Sequence, residues 1–494
     1  MLTETANGDS SRLSRWLRVR EFAVPPSMIE TATARRLAGD WAGACAAARV
    51  DVDLDLRSVA RTHGRDLAAR LRDDLRHLAP DLLRWHMPRV APDGLLRPGL
   101  TVALARYDRT GPDGQTPDGQ RSDGQGPDGH AFDGPGSGDP RPVHLVVRTP
   151  PAWADAGQRM SLGVWDGSLA ERGACRHPHP RPNARFRLDL HRHLWDVRRT
   201  DELRARSGAD RPTGSAGLPV ELDVPRERPC AVDRWPAEAE ILLRAEDRAA
   251  RRVLVRVDGR NRLVLDLAAT GAGQAGDGPG ASAVRIARAS ADAGAHGLPV
   301  LPDAATWVLP DLELLRSGLI EADRLHPLVA TALVPGCSPT GPARSPDLAG
   351  QPHAVECRGA THRIALVDGV LAPLDHDPAE VRREELLAAL SGTPLPCLQA
   401  IDQAHRRPDC LTGVRERLDH GDTEGALAVV EGLLGPEAVL RDGPLRDELE
   451  AAAERRIAYG LFRAGLVGPG PDRIRPGLRR PAGHRSHPRH TAGR

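Results

Sequence analysis

The chain has 494 residues, a formal net charge of +1, 40% hydrophobic residues and only 3% aromatic residues. That length suits about two to four domains with real apolar cores, and the near-zero charge gives no global field that would select nucleic acid or an anionic membrane. All 68 residues in the Lys+Arg total are arginine, which excludes a P-loop lysine and a Schiff-base lysine, while the scarcity of rings argues against a base-stacking sheet.

From the N-terminus, residues 1–16 carry no apolar signal core, residues 1–13 are expected to be frayed, and no run approaches the ~20 apolar residues a membrane span needs. Ser27-Met28-Ile29-Glu30 reads as a capping box opening a helix that reaches Gly39-Asp40. A second helix follows through Ala44, Cys45 and Ala48. Val50, Val52, Leu54 and Leu56 alternate with Asp51, Asp53, Asp55 and Arg57, which predicts a strand with a charged, solvated face. Leu67, Leu71, Leu75 and Leu78 then mark a helical stripe, Pro80 breaks it, and a short turn carries Leu82, Leu83 and Trp85.

The middle leans to strand. Leu100–Tyr107, Val143–Arg148, Met160–Trp165 and Phe186–Leu194 are candidates. Two pairs read as hairpins: Val253–Val257 with Leu263–Leu267, and Ile364–Val367 with Val370–Leu374 around Asp368-Gly369. A DG-rich insert of period five, about Gly111 to Pro140, has no apolar face to bury, so its deletion should leave stability almost unchanged. From Asp377 the chain is helical: Asp377-Pro378 opens a helix with Leu386, Leu387 and Leu390, Pro396 opens another with Leu398 and Ile401, and a hairpin turns at Gly421-Asp422 and stops at Gly435-Pro436. A last helix carries Leu445, Leu449, Ala452, Ile457 and Leu461, with Arg446 and Glu450 paired one turn apart.

These elements predict an α+β protein: an N-terminal helical region (14–97), a β-rich region (98–376), a C-terminal helical bundle (377–466) and a disordered basic tail (467–494). Loops at about 108–142, 207–217, 268–282 and 335–352 are expected to be disordered. The bundle is expected to fold as one unit that depends on the Gly421-Asp422 turn.

Gly39-Asp40-Trp41-Ala42-Gly43-Ala44 and Gly421-Asp422-Thr423-Glu424-Gly425-Ala426 share one pattern. Each resembles the turn and second-helix start of a tetratricopeptide repeat, without that family's first-helix aromatic or its regular 34-residue spacing. The resemblance covers under ten residues at each place, and the simpler reading is an ordinary antiparallel helical pair, for which Gly-Asp is good turn chemistry.

Candidate chemistry is sparse. Cys45, Cys175, Cys230, Cys337, Cys357, Cys397 and Cys410 form no CxxC and are odd in number, so a zinc ribbon or disulfide framework is not expected and reduced, mostly buried thiols are. His191 and His193, two apart in an expected strand, would share a face near His177 and His179, most simply as exposed polar positions. Asp51, Asp53 and Asp55 suggest a DxD magnesium site less well than a solvated strand face. His376-Asp377 superficially matches the pair of metal phosphohydrolases, but it sits before a proline as a helix start. No GxSxG or well-placed GxGxxG occurs.

The composition, rich in Ala, Gly, Pro, Asp and Arg, points to a GC-rich bacterial genome and a cytoplasmic protein. The expected function is non-enzymatic: an adaptor or accessory subunit that offers helical hairpins to a protein partner, without membrane contact. No catalytic residue is identified, and no metal or cofactor is expected. One alternative is a metal-dependent hydrolase using His191, His193 and a carboxylate from another strand. Another is a nucleic-acid-associated protein using the arginine-rich tail.

Overall fold

The computed structural model describes residues 12–108, 142–167, 181–210, 228–248, 251–258, 261–267, 284–288, 297–336, 353–392 and 395–466. The tail, most of the expected loops, the DG-rich insert, and His177 and His179 lie outside them. Helices and sheets are mixed, as an α+β protein requires.

After a helical segment over 12–18, the further helices of seven residues or more among the described residues are, in chain order, α1 (Pro26–Leu37), α2 (Trp41–Ala47), α3 (Leu56–His63), α4 (Arg65–His77), α5 (Pro80–His86), α6 (Trp235–Ala245), α7 (Pro310–Arg316), α8 (Pro327–Leu333), α9 (Pro378–Ser391), α10 (Pro396–Arg406), α11 (Leu411–Asp419), α12 (Thr423–Leu434) and α13 (Pro444–Arg463). The strands are β1 (Val50–Val52), β2 (Thr101–Tyr107), β3 (Val143–Arg148), β4 (Met160–Trp165), β5 (Arg252–Arg256), β6 (Arg262–Leu267), β7 (Val284–Arg288), β8 (His353–Cys357), β9 (Ala360–Val367) and β10 (Val370–Pro373).

They form three small sheets, ordered β1-β4-β3-β2, β5-β6-β7 and β10-β9-β8. In the first, β1 lies parallel to β4 and the other pairs are antiparallel. Tyr107 pairs with Val143, so the chain between them leaves and re-enters at adjacent strand ends. The largest core runs from Trp16 to Leu333 and joins this sheet to α4 and α5. Its fully buried leucines, such as Leu71, Leu75 and Leu82, are each worth ~1.5–3 kcal/mol of apolar burial. A second core sets α6 and Trp307 on the β5–β7 sheet. A third is built by α11, α12 and α13 around Val414, Ala426, Val430 and Leu445. A fourth, under β8–β10 and α10, holds, among the described residues, only Cys357, Ile364, Leu395, Cys397 and Ile401 as buried members.

Several local expectations change. The expected capping box gives way to a helix capped at Pro25 without a side-chain bond, because Pro26 already takes the first helical position. The alternating run at 50–57 is strand only over Val50–Val52; Asp55 accepts bonds from the amides of Arg57 and Ser58 and starts α3 instead. Pro80 opens α5 rather than a turn. Phe186–Leu194 is not a strand but two successive 3-10 turns. Leu188, His191, His193 and Leu194 are all buried, on turns with the tighter 3-10 geometry rather than on one face of a strand.

In the C-terminal helices, Leu386, Leu390 and Ile457 are 65%, 87% and 64% exposed, so they do not serve as the core positions expected of them. The Asp368-Gly369 turn forms as read, with both residues at positive φ between β9 and β10.

Candidate functional site: a cleft between two helical hairpins

The shared pattern of the two hairpins extends back to an arginine, Arg35 in one and Arg417 in the other, giving R-x-x-x-G-D-x-x-G-A twice. Each position has a mechanical reason. Asp40 caps α2 by accepting from the Gly43 amide at 2.8 Å, and Asp422 caps α12 by accepting from the Gly425 amide at 3.3 Å. Arg35 and Arg417 hold the outer oxygen of those carboxylates at 3.1 and 2.8 Å. The third-position glycines leave room for the cap: a Cβ there would lie 2.0 Å from an Asp40 oxygen and 2.1 Å from an Asp422 oxygen. Ala44 and Ala426 are fully buried where the paired helices meet.

The two turns are loaded differently. Gly39 faces open space. A Cβ on Gly421 would lie 2.1 Å from the Gly157 carbonyl oxygen, so the C-terminal hairpin is seated backbone to backbone on the turn before β4. Between the hairpins opens a cleft of ≈ 700 Å³, within the range of ligand-binding pockets. Ser27, Met28 and Thr31 of α1 form one wall, and Thr423, Glu424 and Leu427 of α12 another. Arg456, Tyr459 and Arg463 of α13 close a third side over Arg49, Asp51 and Arg159.

No protein-family model, no curated protein and no solved structure matches this chain. Among the described residues, no helix is long and apolar enough to cross a membrane.

Charge at the cleft floor is dense. Asp51 accepts hydrogen bonds from Arg159 and from the Tyr459 hydroxyl. Burial alone would raise its carboxyl, but those two partners outweigh it and hold it below the usual carboxylate range. Asp53 is bound by Arg463. The expected solvated face is therefore a docking face: two of its aspartates anchor α13, and the third caps α3. Arg49 donates to the His420 carbonyl at 3.2 Å and to Asp422 at 3.0 Å. Burial pushes the Arg49 guanidinium below its usual range although Asp422 opposes it.

Beneath the cleft lies Arg84, fully buried, a residue the sequence did not single out. It donates to the carbonyls of Ala23, Gln158 and His420 at 2.9, 2.6 and 3.3 Å, so one side chain ties three distant segments together. Burial, reinforced by Arg49 and Arg89, pushes it well below the ordinary arginine value. Burial likewise holds the neighbouring His420 down at about 4. A lone arginine inside an apolar stretch, Leu82-Leu83-Arg84-Trp85, is the one sequence signal that could have pointed there.

The remaining candidates lie apart from the cleft. His191 and His193 are both buried, with ring centroids 5.7 Å apart. The Nε2 atom of His191 lies 3.3 Å from Glu238, a residue of α6 rather than of a strand. Burial works against ionising Glu238, yet His191 and Arg206 outweigh it and hold the carboxyl at about 2. Arg206 binds both Glu238 oxygens, at 2.6 and 2.7 Å. The expectation of exposed strand positions is thus replaced by a buried polar cluster, satisfied in good part by an arginine. Asp377 caps α9 at the Ala379 amide, as read from the sequence. Among the described residues, one trio could hold a metal ion: Cys357, His376 and Cys397.

Proposed function

We propose that this protein is a non-enzymatic binding protein, an adaptor or accessory subunit, whose cleft between the hairpins receives an acidic segment of a protein partner. The observation that carries this is the charge balance around the cleft. Arg49, Arg159, Arg456 and Arg463 line it against Asp51, Asp422 and Glu424. Asp51 and Asp422 are committed to arginines or to a helix cap, whereas Arg456 stands exposed on the rim. A carboxylate-bearing segment fits that surplus, and apolar Met28 and Leu427 supply contact area beside it.

The test is affinity capture by the full chain from its native source, compared between wild type, Arg456→Glu and Glu424→Arg, with the fold checked by circular dichroism. Arg456→Glu should lose the partner, Glu424→Arg should keep or strengthen it, and added salt should weaken capture. Equal capture by all three would remove the cleft as the interface.

A metal-dependent hydrolase stands second. The observation in its favour is that Glu238 supplies a carboxylate beside His191.

A further inference from the structure

We propose that Cys357, His376 and Cys397 bind one divalent metal ion of the zinc class, which staples the β8–β10 sheet to α10. The three ligand atoms lie within 4.8 Å of one another, and both cysteines are fully buried. The fold delivers them from separate places. Cys357 ends β8, immediately before the Arg358-Gly359 turn in which both residues have positive φ. Cys397 stands in the first turn of α10. His376 precedes the Asp377 cap of α9.

The histidine is set as a metal ligand would be. Its side chain is 4% exposed, its Nε2 atom is buried without a hydrogen-bond partner, and Nδ1 faces the Glu380 carboxylate at 3.7 Å. A carboxylate behind a ligating imidazole orients the ring and raises its basicity. The His362 ring stacks on His376 with centroids 4.2 Å apart, and its Nδ1 is also buried and unpartnered. Two thiolates and a neutral imidazole are donors that zinc prefers, and the two negative charges cancel the ion's charge, so the filled site costs little to bury.

A structural need is present as well. Among the described residues, the core of this module holds, besides the two cysteines, only Ile364, Leu395 and Ile401 as buried members, with Val355, Leu371, Leu398 and Ala400 partly buried against them. So small an apolar core is the kind that a metal commonly reinforces. The expectation of a metal-free protein rested on the missing ligand framework around its histidines and cysteines, and these ligands come from positions that only the fold brings together.

The experiment uses the full, untagged, reduced chain. Elemental analysis after equilibration with Zn²⁺ should find about one ion per chain. Histidines of the tail could also take up zinc, so the deciding readout is Co²⁺ substitution, in which thiolate ligands give a near-ultraviolet charge-transfer band. Cys357→Ser and Cys397→Ser should each weaken that band, and Cys410→Ser should leave it unchanged. Should the serine variants fail to fold, the wild-type chain still decides: Zn²⁺ should slow alkylation of Cys357 and Cys397 by about tenfold or more relative to chelated protein, as a bound thiolate is no longer free to attack. A chain that stays free of thiolate-bound metal, shows no such protection, or yields a Cys357–Cys397 disulfide from its native source would overturn the proposal.

Discussion

Gly39 and Gly421 occupy the same position of the same pattern and differ only in what lies opposite. Both have positive φ, which costs an L-residue about 1–2 kcal/mol. Gly39→Ala should lose no more than that, since nothing lies within 4 Å of the added methyl. Gly421→Ala should lose clearly more, because its methyl meets the fixed Gly157 carbonyl and the hairpin must shift. Urea denaturation of the two variants checks this, and equal losses would mean that the C-terminal hairpin is not seated as described.

Histidines give a second residue-scale prediction. Burial holds both His86 and His420 at about 4 in the folded protein. In the unfolded chain they return to about 6.5. The unfolded state therefore binds more protons between those values, so stability is fully present above about pH 6.5 and is lost as pH falls toward 4. The loss is on the order of 3 kcal/mol for each histidine. Glu238, held at about 2, adds its own loss only at lower pH. Calorimetry at pH 7, 5.5 and 4.5 should show a falling midpoint, and a flat profile would contradict the buried, neutral state of these rings.

Among the elements, α12 shows how a helical stripe divides. Val430 is buried against α11 and α13, whereas Leu427 is 40% exposed on the cleft wall. Val430→Asp should unfold the helical core or cost several kcal/mol, because a buried unpaired carboxylate has no compensation. Leu427→Asp should stay within about 1 kcal/mol, near the usual effect of a surface change. Thermal melts followed by circular dichroism separate the two, and comparable melting points would show that the inward face of α12 is misassigned. The α9 helix makes the same point about periodicity. Its leucines recur at helical spacing, yet Leu386 and Leu390 face outward. Spacing reveals that a face exists, not that something covers it.

The whole molecule is closed by contacts between its ends. Tyr459 and Arg463 of α13 reach Asp51 and Asp53 beside β1, and Trp153 packs edge-on to Phe462 at 5.6 Å. Tyr459→Phe removes a donor to a half-buried carboxylate and should cost about 1.5–3 kcal/mol, the range for hydrogen bonds to charged groups. A fragment spanning 377–466 lacks these partners and should melt below the same segment in the full chain, as followed by hydrogen exchange. If fragment and full chain protect that segment equally, the end-to-end contacts contribute nothing.

The sequence by itself determined what depends on neighbours in the chain. The Gly-Asp turns, the aspartate caps at Asp40, Asp377 and Asp422, the Asp368-Gly369 hairpin, and the stripe of Leu67, Leu71 and Leu75 were legible because each involves residues a few positions apart. Only the tertiary structure decided which faces met. That Asp51 would bind Tyr459, that Arg84 would bridge three carbonyls, and that Cys357, His376 and Cys397 would converge all involve pairings across tens to hundreds of residues. Such pairings leave no periodic trace. They arise because a buried charge or polar group must find whatever partner the packed fold places beside it.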